Sequence, residues 1–482
     1  MTRIERFDPT RPDELVGSVP ASTPADVDRL VALARATFRV WSGTPFEDRA
    51  AALGAAADAV EALLDDGTPE LLCRELGKVL VDCRGEIGFA AAYLRDAVAR
   101  ARTIVDHHEV VDDGLGRMEV RREPHGVVAA ITPWNAPIIL SMLKIAPALA
   151  TGNTIIVKPS PLAPLAVTRV VKAMAAHLPD GALAIVHGDA EVGRALTGNP
   201  DVAKVAFTGG LATGSAIARH VADRAAPLVL ELGGNDAAVL LDDVDLDDVA
   251  IDRLVQASFI TSGQVCMAAK RIYVHRSRID EVVDRYREVA ARTLVTGDPL
   301  VDGVTLGPLV TEEARDRVAA LAAGARAAGN DVVGIGRVAH PDLVARGWFL
   351  EPTIVLGADD ADPIVATEQF GPTVPILAFD DDEEALRRAN DSELGLGASV
   401  WSADEERAFG LARRLETGVT FVNTHNRSGM SLRAPFGGRK QSGYGREYGD
   451  AGIHEYLVTH TINAPAAFRP GGVGGGAGYP GG

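Results

Sequence analysis

The segment Gly126 to Ser160, GVVAAITPWNAPIILSMLKIAPALATGNTIIVKPS, carries the pattern from which the fold follows. An apolar run of strand length, VVAAIT, passes through a proline-containing turn into a longer stretch with helical spacing, and a second apolar run, TIIVKP, comes after it. Runs this short and uniformly apolar read as buried strands, and a helix between two of them implies parallel neighbours joined by a right-handed crossover. The alternation recurs downstream at LAIVHG, VAKVAFTG and PLVLEL, which predicts an open parallel sheet with helices on its faces. Ligands of such sheets sit at the carboxyl ends of the strands, where Asn135, Lys158, Gly209 and Glu231 fall.

A second alternating set begins at AAVLL, Ala237 to Leu241, and continues through RIYVH, DVVGIG, WFLEPTIVLG, PTVPILAFD, LGASVWS and GVTFVN. The expected fold class is therefore α/β with two doubly wound domains, and a site in the cleft between them. Ahead of both, Thr23 to Arg102 reads as several helices with Thr23 or Ser22 capping the first, after an extended start. The stretch His107 to Glu123, with a turn at Asp113-Gly114, predicts a hairpin. The closing RPGGVGGGAGYPGG cannot bury a core and is expected to be a flexible tail.

At 482 residues the chain is long enough for two domains. A formal net charge of −18 disfavours nucleic acid or an anionic membrane as a partner, since nothing basic is available to neutralise phosphates in bulk. It leaves open a nucleotide gripped locally. Three cysteines, Cys73, Cys83 and Cys266, give neither a disulfide framework nor metal-ligand spacing, and the first two lie in a helical stretch as structural residues. MTRIERFDPT lacks the apolar core of a signal peptide, so a cytoplasmic location is expected. The most apolar region, Gly126 to Gly152, holds Pro133, Pro137, Pro147 and Lys144 and cannot span a membrane.

The chemistry centres on Gly263-Gln264-Val265-Cys266 and Glu231-Leu232-Gly233-Gly234. A cysteine after a glycine turn and a carboxylate at a strand end can supply a thiolate nucleophile and a general base, although either residue alone is more often structural. Their company decides between these readings. ITPWNAP around Asn135, NTIIVKPS around Lys158, FTGGLATG from Phe207 to Gly214, EQFGP from Glu368 to Pro372 and PFGGRKQSG from Pro435 to Gly443 all occur in this order. With these motifs the sequence resembles the aldehyde dehydrogenase superfamily, and the resemblance runs from about Phe7 to about His460.

The resemblance implies a Rossmann-like dinucleotide-binding domain over 1–105 and 125–232 and a catalytic domain over 233–441. It also implies a small β appendage for oligomerisation from 106–124 and 457–466, with 467–482 as the tail. The implied partners are a small-molecule aldehyde and copies of the same chain, as a homodimer or homotetramer. The implied catalytic residues are Cys266 as nucleophile, the Asn135 amide with the Cys266 N–H as oxyanion donors, Glu231 as the base that activates water on the thioester, and Lys144 and Glu447, with Thr208, as a proton relay. A helix N-terminus or a nearby cation is expected to lower the Cys266 pKa. Cofactor contacts are implied for Ile131, Pro133, Trp134, Lys158, Ser160, Pro161, Phe207, Thr208, Gly209, Gly210, Gly214, Leu232, Gly233, Glu368 and Phe370.

The glycine-rich run Gly209 to Gly214 is weak alone, yet it follows a strand and opens a helix, the setting for a phosphate on free amides. Gly210 replaces a serine common in the family. Pro161 stands where the family often has a ribose-binding glutamate, so NAD is the expected cofactor and NADP is possible. The tunnel residues implied by position are Ala136, Leu140, Leu143, Val265, Met267 and the loop Asn423 to Arg433, mostly apolar and suited to a hydrophobic aldehyde, aliphatic or aromatic. Arg427 or Arg433 in that loop, which also holds His425, would favour a carboxylate-bearing substrate if it pointed inward. Asn235, where lysine is usual, alters no identifiable role. The alternatives are a CoA-acylating relative, which needs no water-activating Glu231, and a non-catalytic nucleotide-binding or structural protein on the same scaffold.

Overall fold

The computed structural model describes residues 2–105 and 107–468; the glycine-rich segment from 469 onward lies outside the described residues. The extended start is an antiparallel hairpin, β1 (Arg3–Asp8) and β2 (Arg11–Pro20), turned where Asp8 Oδ1 accepts from the Thr10 N–H at 2.8 Å. Four helices follow: α1 (Pro24–Trp41), α2 (Phe46–Ala62), α3 (Thr68–Leu76) and α4 (Leu80–Val105). Thr23 caps α1 in a reciprocal box with Asp26, while Ser22 accepts from the His187 N–H instead. The hairpin β3 (Glu109–Asp113) and β4 (Gly116–Pro124) is present, and β22 (Leu457–Pro465) joins β4 to make a three-stranded antiparallel sheet.

The first large sheet contains β5 (Val127–Thr132), β6 (Thr154–Pro159), β7 (Leu183–Ile185), β8 (Val202–Thr208) and β9 (Leu228–Glu231), all parallel, with β21 (Gly443–Tyr444) antiparallel on the edge. Its order is β21-β9-β8-β5-β6-β7. Strand β5 is flanked by β6 and β8, so the winding reverses between β5 and β8 and opens a crevice at their carboxyl ends. The connecting helices are α5 (Pro137–Ala150), α6 (Pro164–Ala175), α7 (Ala190–Gly198) and α8 (Leu211–Ala222).

The second large sheet uses β10 (Asp236–Leu240), β11 (Ala269–His275), β13 (Asp331–Gly334), β15 (Thr353–Leu356), β16 (Thr373–Phe379), β18 (Gly397–Trp401) and β19 (Val419–Val422). Their order is β13-β15-β16-β11-β10-β18-β19, parallel except for β13. Two-residue strands β12 (Val295–Thr296) with β14 (Arg337–Val338), and β17 (Leu394–Gly395) with β20 (Arg439–Lys440), pin loops beside it. Helices α9 (Asp248–Phe259), α10 (Ile279–Thr293) and α11 (Glu312–Ala327) cover its faces.

Two glutamates tie the N-terminal helices to the first sheet unit. Helices α5 and α6 start at Ala136 and Ala163 with no side-chain cap of their own. Glu86, from α4, accepts the Ile138 and Ile139 N–H groups at 2.8 and 3.2 Å, and Glu75, from α3, accepts those of Leu165 and Ala166 at 2.6 and 3.1 Å. Buried carboxylates thus satisfy free amides at both helix starts, where the macrodipole also favours a negative charge. Lys78 pairs with Glu86, and both side chains are buried.

Candidate active site

Helix α9 ends in a tight turn, Ile260–Gly263, in which Thr261 and Ser262 both have φ of 55°. Left-handed backbone at two such residues costs on the order of 1–3 kcal/mol each. The turn is held by Ser262 Oγ donating to the Gly307 carbonyl at 2.8 Å. Gly263 continues at φ 72°, and a Cβ there would stand 2.3 Å from the Gly371 carbonyl oxygen, so the turn docks on the Phe370-Gly371-Pro372 loop without a side chain. Cys266 comes three residues later in an irregular turn before β11, not at a helix start. The expected helix N-terminus is therefore absent there, and the nearby cation is Lys270, which donates to the carbonyls of Val265 at 2.9 Å and Cys266 at 2.5 Å. Burial pushes the thiol up to about 12; Lys270 opposes this, and Glu368, Asp236 and Glu231 add to it.

Asn135 follows the carboxyl end of β5, is 7% exposed, and donates from Nδ2 to the Gln264 carbonyl at 3.0 Å. A second N–H remains on that amide. Glu231 closes β9, buried, with neither carboxylate oxygen hydrogen-bonded among the described residues. Burial and the neighbouring Glu447 hold it well above the usual carboxylate range, against the pull of Lys144 and Arg446. Lys144, fully buried on α5, donates to Thr208 Oγ1 and to Glu447 Oε1, each at 2.6 Å. A carboxylic acid with raised pKa, a buried ammonium and a second carboxylate are thus electrostatically coupled beneath the cavities, an arrangement able to take up and pass on a proton.

Two cavities meet at Cys266 and Asn135. One, of about 290 Å³, is walled mainly by apolar side chains, among them Phe89, Leu140, Leu143, Val265, Met267 and Phe436. The other, of about 310 Å³, runs under Pro133 and Trp134 past Thr208, Gly209, Gly210, Leu232 and Gly233 to Glu368 and Phe370. Trp134 and Phe370 meet edge to face at 5.6 Å. The Cys266 thiol thus stands where an apolar tunnel and a glycine-lined crevice converge.

The aldehyde dehydrogenase family profile matches residues 1–462. The chain belongs to that family. This aldehyde dehydrogenase is similar to the geranial dehydrogenase of Castellaniella defragrans, with 39% identity and 92% of each chain covered. Its fold matches a Staphylococcus aureus betaine aldehyde dehydrogenase in complex with NAD+ at TM-score 0.90, with 32% identity over 96% of this chain and 91% of the other. It matches an Escherichia coli NADP-dependent enzyme at TM-score 0.91, with 32% identity over 96% and 95%. The protein is an NAD(P)-dependent aldehyde dehydrogenase, and no helix among its described residues is long and apolar enough to cross a membrane.

The crevice of this aldehyde dehydrogenase fits a dinucleotide. Gly210 caps α8 with no side chain over the free amides, and a Cβ on Gly209 would fall 2.6 Å from the Phe207 ring. Farther along the sheet edge a cavity of about 740 Å³ is lined by Ile131, Lys158 and Pro161 together with Arg194 and Arg219. Burial lowers Lys158 to about 8, with Asp189 pulling the other way. Phe207 and Gly214, expected at the cofactor, are buried beneath the glycine turn and line none of these cavities; the ring is packed in the core and shapes the turn from below. Ser160 also lies off the cavity walls, its hydroxyl taken by the Leu162 N–H.

In the tunnel loop, Arg427 lines the apolar cavity with its charge paired to Asp82 at 2.7 Å, Arg433 is exposed and lines none of these cavities, and His425 is buried against Ser399 and the Met267 carbonyl. Asn235 donates to the Val365 carbonyl at 2.8 Å, a structural bond. Sequence reading missed Arg317, which reaches the carbonyls of Glu368 and Gln369 and lines the crevice, and Lys78 and Glu86 in the tunnel wall. A buried charged pair inside a helical stretch, Lys78-x7-Glu86, was the available signal.

Proposed function

We propose that this enzyme oxidises an uncharged, hydrophobic aldehyde, aliphatic or aromatic, to its carboxylic acid, with Cys266, Asn135 and Glu231 as the catalytic residues and Lys144 and Glu447 as the proton relay. The observation that carries this reading is the convergence on Cys266 of an apolar tunnel and a glycine-lined crevice. Glu231 is the nearby base for the thiol proton, and the upward push of burial and Glu447 makes it a stronger base than an ordinary carboxylate. Cys266 Sγ adds to the aldehyde carbon, and the new oxyanion is met by the free N–H of the Asn135 amide and by the Cys266 N–H. Glu368, Lys158 and the amides of Gly209 to Leu211 would hold the dinucleotide, which when bound supplies the hydride acceptor. Glu231 then takes a proton from water attacking the acyl group on Cys266, and Lys144 and Glu447 carry charge away from it.

The pairing of Arg427 with Asp82 and the exposure of Arg433 speak against a carboxylate-bearing substrate. Similarity to a geranial dehydrogenase points the same way. NAD+ is the proposed cofactor, and Pro161 with the cations Lys158, Arg194 and Arg219 leaves room for a 2'-phosphate, so NADP+ is accepted as well. The proposed division is a dinucleotide-binding domain of 1–105 and 125–232, a catalytic domain of 233–441 and an oligomerisation sheet from 106–124 and 457–466, supported by the separate sheets. Val110, Leu115 and Ile462 expose apolar surface on the small sheet, in keeping with a homodimer or homotetramer. Free thiols at Cys73, Cys83 and Cys266 accord with work in the cytoplasm.

The test is formation of reduced cofactor from a hydrophobic aldehyde with NAD+ or NADP+, with and without CoA, beside Cys266→Ala. Turnover without CoA that is lost in the variant is expected. Turnover only with CoA would overturn the role given to Glu231, and silence across a broad aldehyde panel would overturn the reading.

A further inference from the structure

The four carbonyls of the nucleophile loop are all held from outside it. Asn135 takes Gln264, Lys270 takes Val265 and Cys266, and His425 Nε2 takes Met267 at 3.1 Å. The Val265 carbonyl also accepts from the Ala268 N–H at 3.2 Å, closing a turn around the cysteine. No peptide bond in the described chain is cis, and in a trans peptide the carbonyl and the following N–H point to opposite sides. Fixing the Val265 oxygen on the Lys270 side therefore sends the Cys266 N–H the other way. That N–H donates to no protein acceptor among the described residues, and Val265, Cys266 and Asn135 line the tunnel together.

Resting on the function proposed above, we infer that Lys270 is the positioning residue of the oxyanion site: its ammonium holds the Val265 and Cys266 carbonyls behind the loop and so aims the Cys266 N–H at the aldehyde oxygen. Lys270 itself is anchored for this. Its side chain is 3% exposed, Glu368 stands 3.5 Å away, and Gln369 Nε2 donates to the Lys270 carbonyl at 3.2 Å. Because Glu368 also accepts from the Gly234 N–H at 3.1 Å, one ammonium links the nucleophile loop to the loop that faces the cofactor crevice. Nothing in the spacing of Cys266-Met267-Ala268-Ala269-Lys270 announces this; the side chain folds back over its own strand start.

The experiment compares Lys270→Met and Lys270→Arg with the wild type in two rates at one pH: kcat/KM for the aldehyde at saturating cofactor, and alkylation of Cys266 by iodoacetamide. Alkylation needs the thiolate but develops no oxyanion, so it reports any loss of thiol activation when the cation is removed. Misplacing a donor by about 1 Å costs on the order of 10²-fold. The Met variant is expected to lose about 10²-fold in kcat/KM and less than about tenfold in alkylation, and Arg, which can donate to both carbonyls, to recover most of the difference. If the Met variant does not fold, the Arg variant still decides, since it keeps the charge and must keep the activity. A wild type silent toward aldehydes defeats the functional reading. An active wild type whose Met variant loses both rates equally, or neither, defeats this inference alone.

Discussion

Replacing Lys144 with methionine isolates what the buried ammonium does. The unbranched side chain fills the same channel, so no cavity is opened, and what disappears is the charge with its 2.6 Å bonds to Glu447 and Thr208. Glu447, itself only 5% exposed, is left beside the buried Glu231 with no compensating ammonium. Removing one partner of a buried pair costs about 3–5 kcal/mol. For 482 residues at about 2.1 cal/mol/K each, the unfolding entropy is roughly 1 kcal/mol/K, so the melting temperature should fall by about 3–5 °C. The assay is calorimetry at a fixed scan rate on Lys144→Met, Glu447→Gln and the double variant. Neutralising both partners should restore more than half of the loss. Activity adds a signed readout, because Lys144 lowers the Glu231 pKa whereas Glu447 raises it. The acidic limb of kcat should therefore move to higher pH in Lys144→Met and to lower pH in Glu447→Gln. A melting shift below about 1 °C, a double variant no better than the single, or limbs moving the same way would refute the reasoning.

Three further outcomes are expected. Cofactor affinity should weaken as pH rises through about 8, where Lys158 loses its charge, and Lys158→Arg should remove that limb in a KM profile. The same lowered value means the fold binds fewer protons than the unfolded chain above about 8, so this group's contribution to stability rises with pH up to its unfolded value. Asn135→Ala should lower kcat by about 10²–10³-fold with the fold retained, since the proposed oxyanion donor and the Gln264 anchor go together, measured by steady-state turnover and thermal melting. Gly263→Ala should abolish turnover, because its Cβ meets the Gly371 carbonyl at 2.3 Å on a backbone with positive φ; normal activity in that variant would show that the loop can shift freely.

Much of this architecture is legible in the sequence. The two parallel sheets follow from apolar runs such as VVAAIT and TIIVKP, because strands buried on both faces have no polar side to write into the sequence. The hairpin at 109–124 was carried by Asp113-Gly114, a local turn signal. By contrast, β1 and β2 bury Arg6 and Asp8 while exposing Phe7 and Leu15, so no apolar alternation marks them and they read only as extended chain. The residues missed at the site share one property: they act across space. Glu86 caps a helix 52 positions away, and Arg317 reaches a loop 51 positions away. The local spacing of those residues reflects their own helices, whose periodicity says nothing of what the side-chain ends touch. Phe207 shows the converse, since its neighbours bear on the crevice while its ring packs in the core.

The return of the chain at β21 has a mechanical consequence. Gly443 pairs with Glu231, the Leu232 N–H donates to the Ser442 carbonyl at 3.0 Å, and Ser442 Oγ donates to the Gly233 carbonyl at 2.6 Å. Everything between those points, including the nucleophile, thus leaves and re-enters through two strands lying side by side. Asn135 bonded to Gln264 and Asp82 paired with Arg427 fasten the far side of the same excursion, so Glu231 and Cys266 are kept in register by backbone at one end and by side chains at the other, like a clasp closed on both sides.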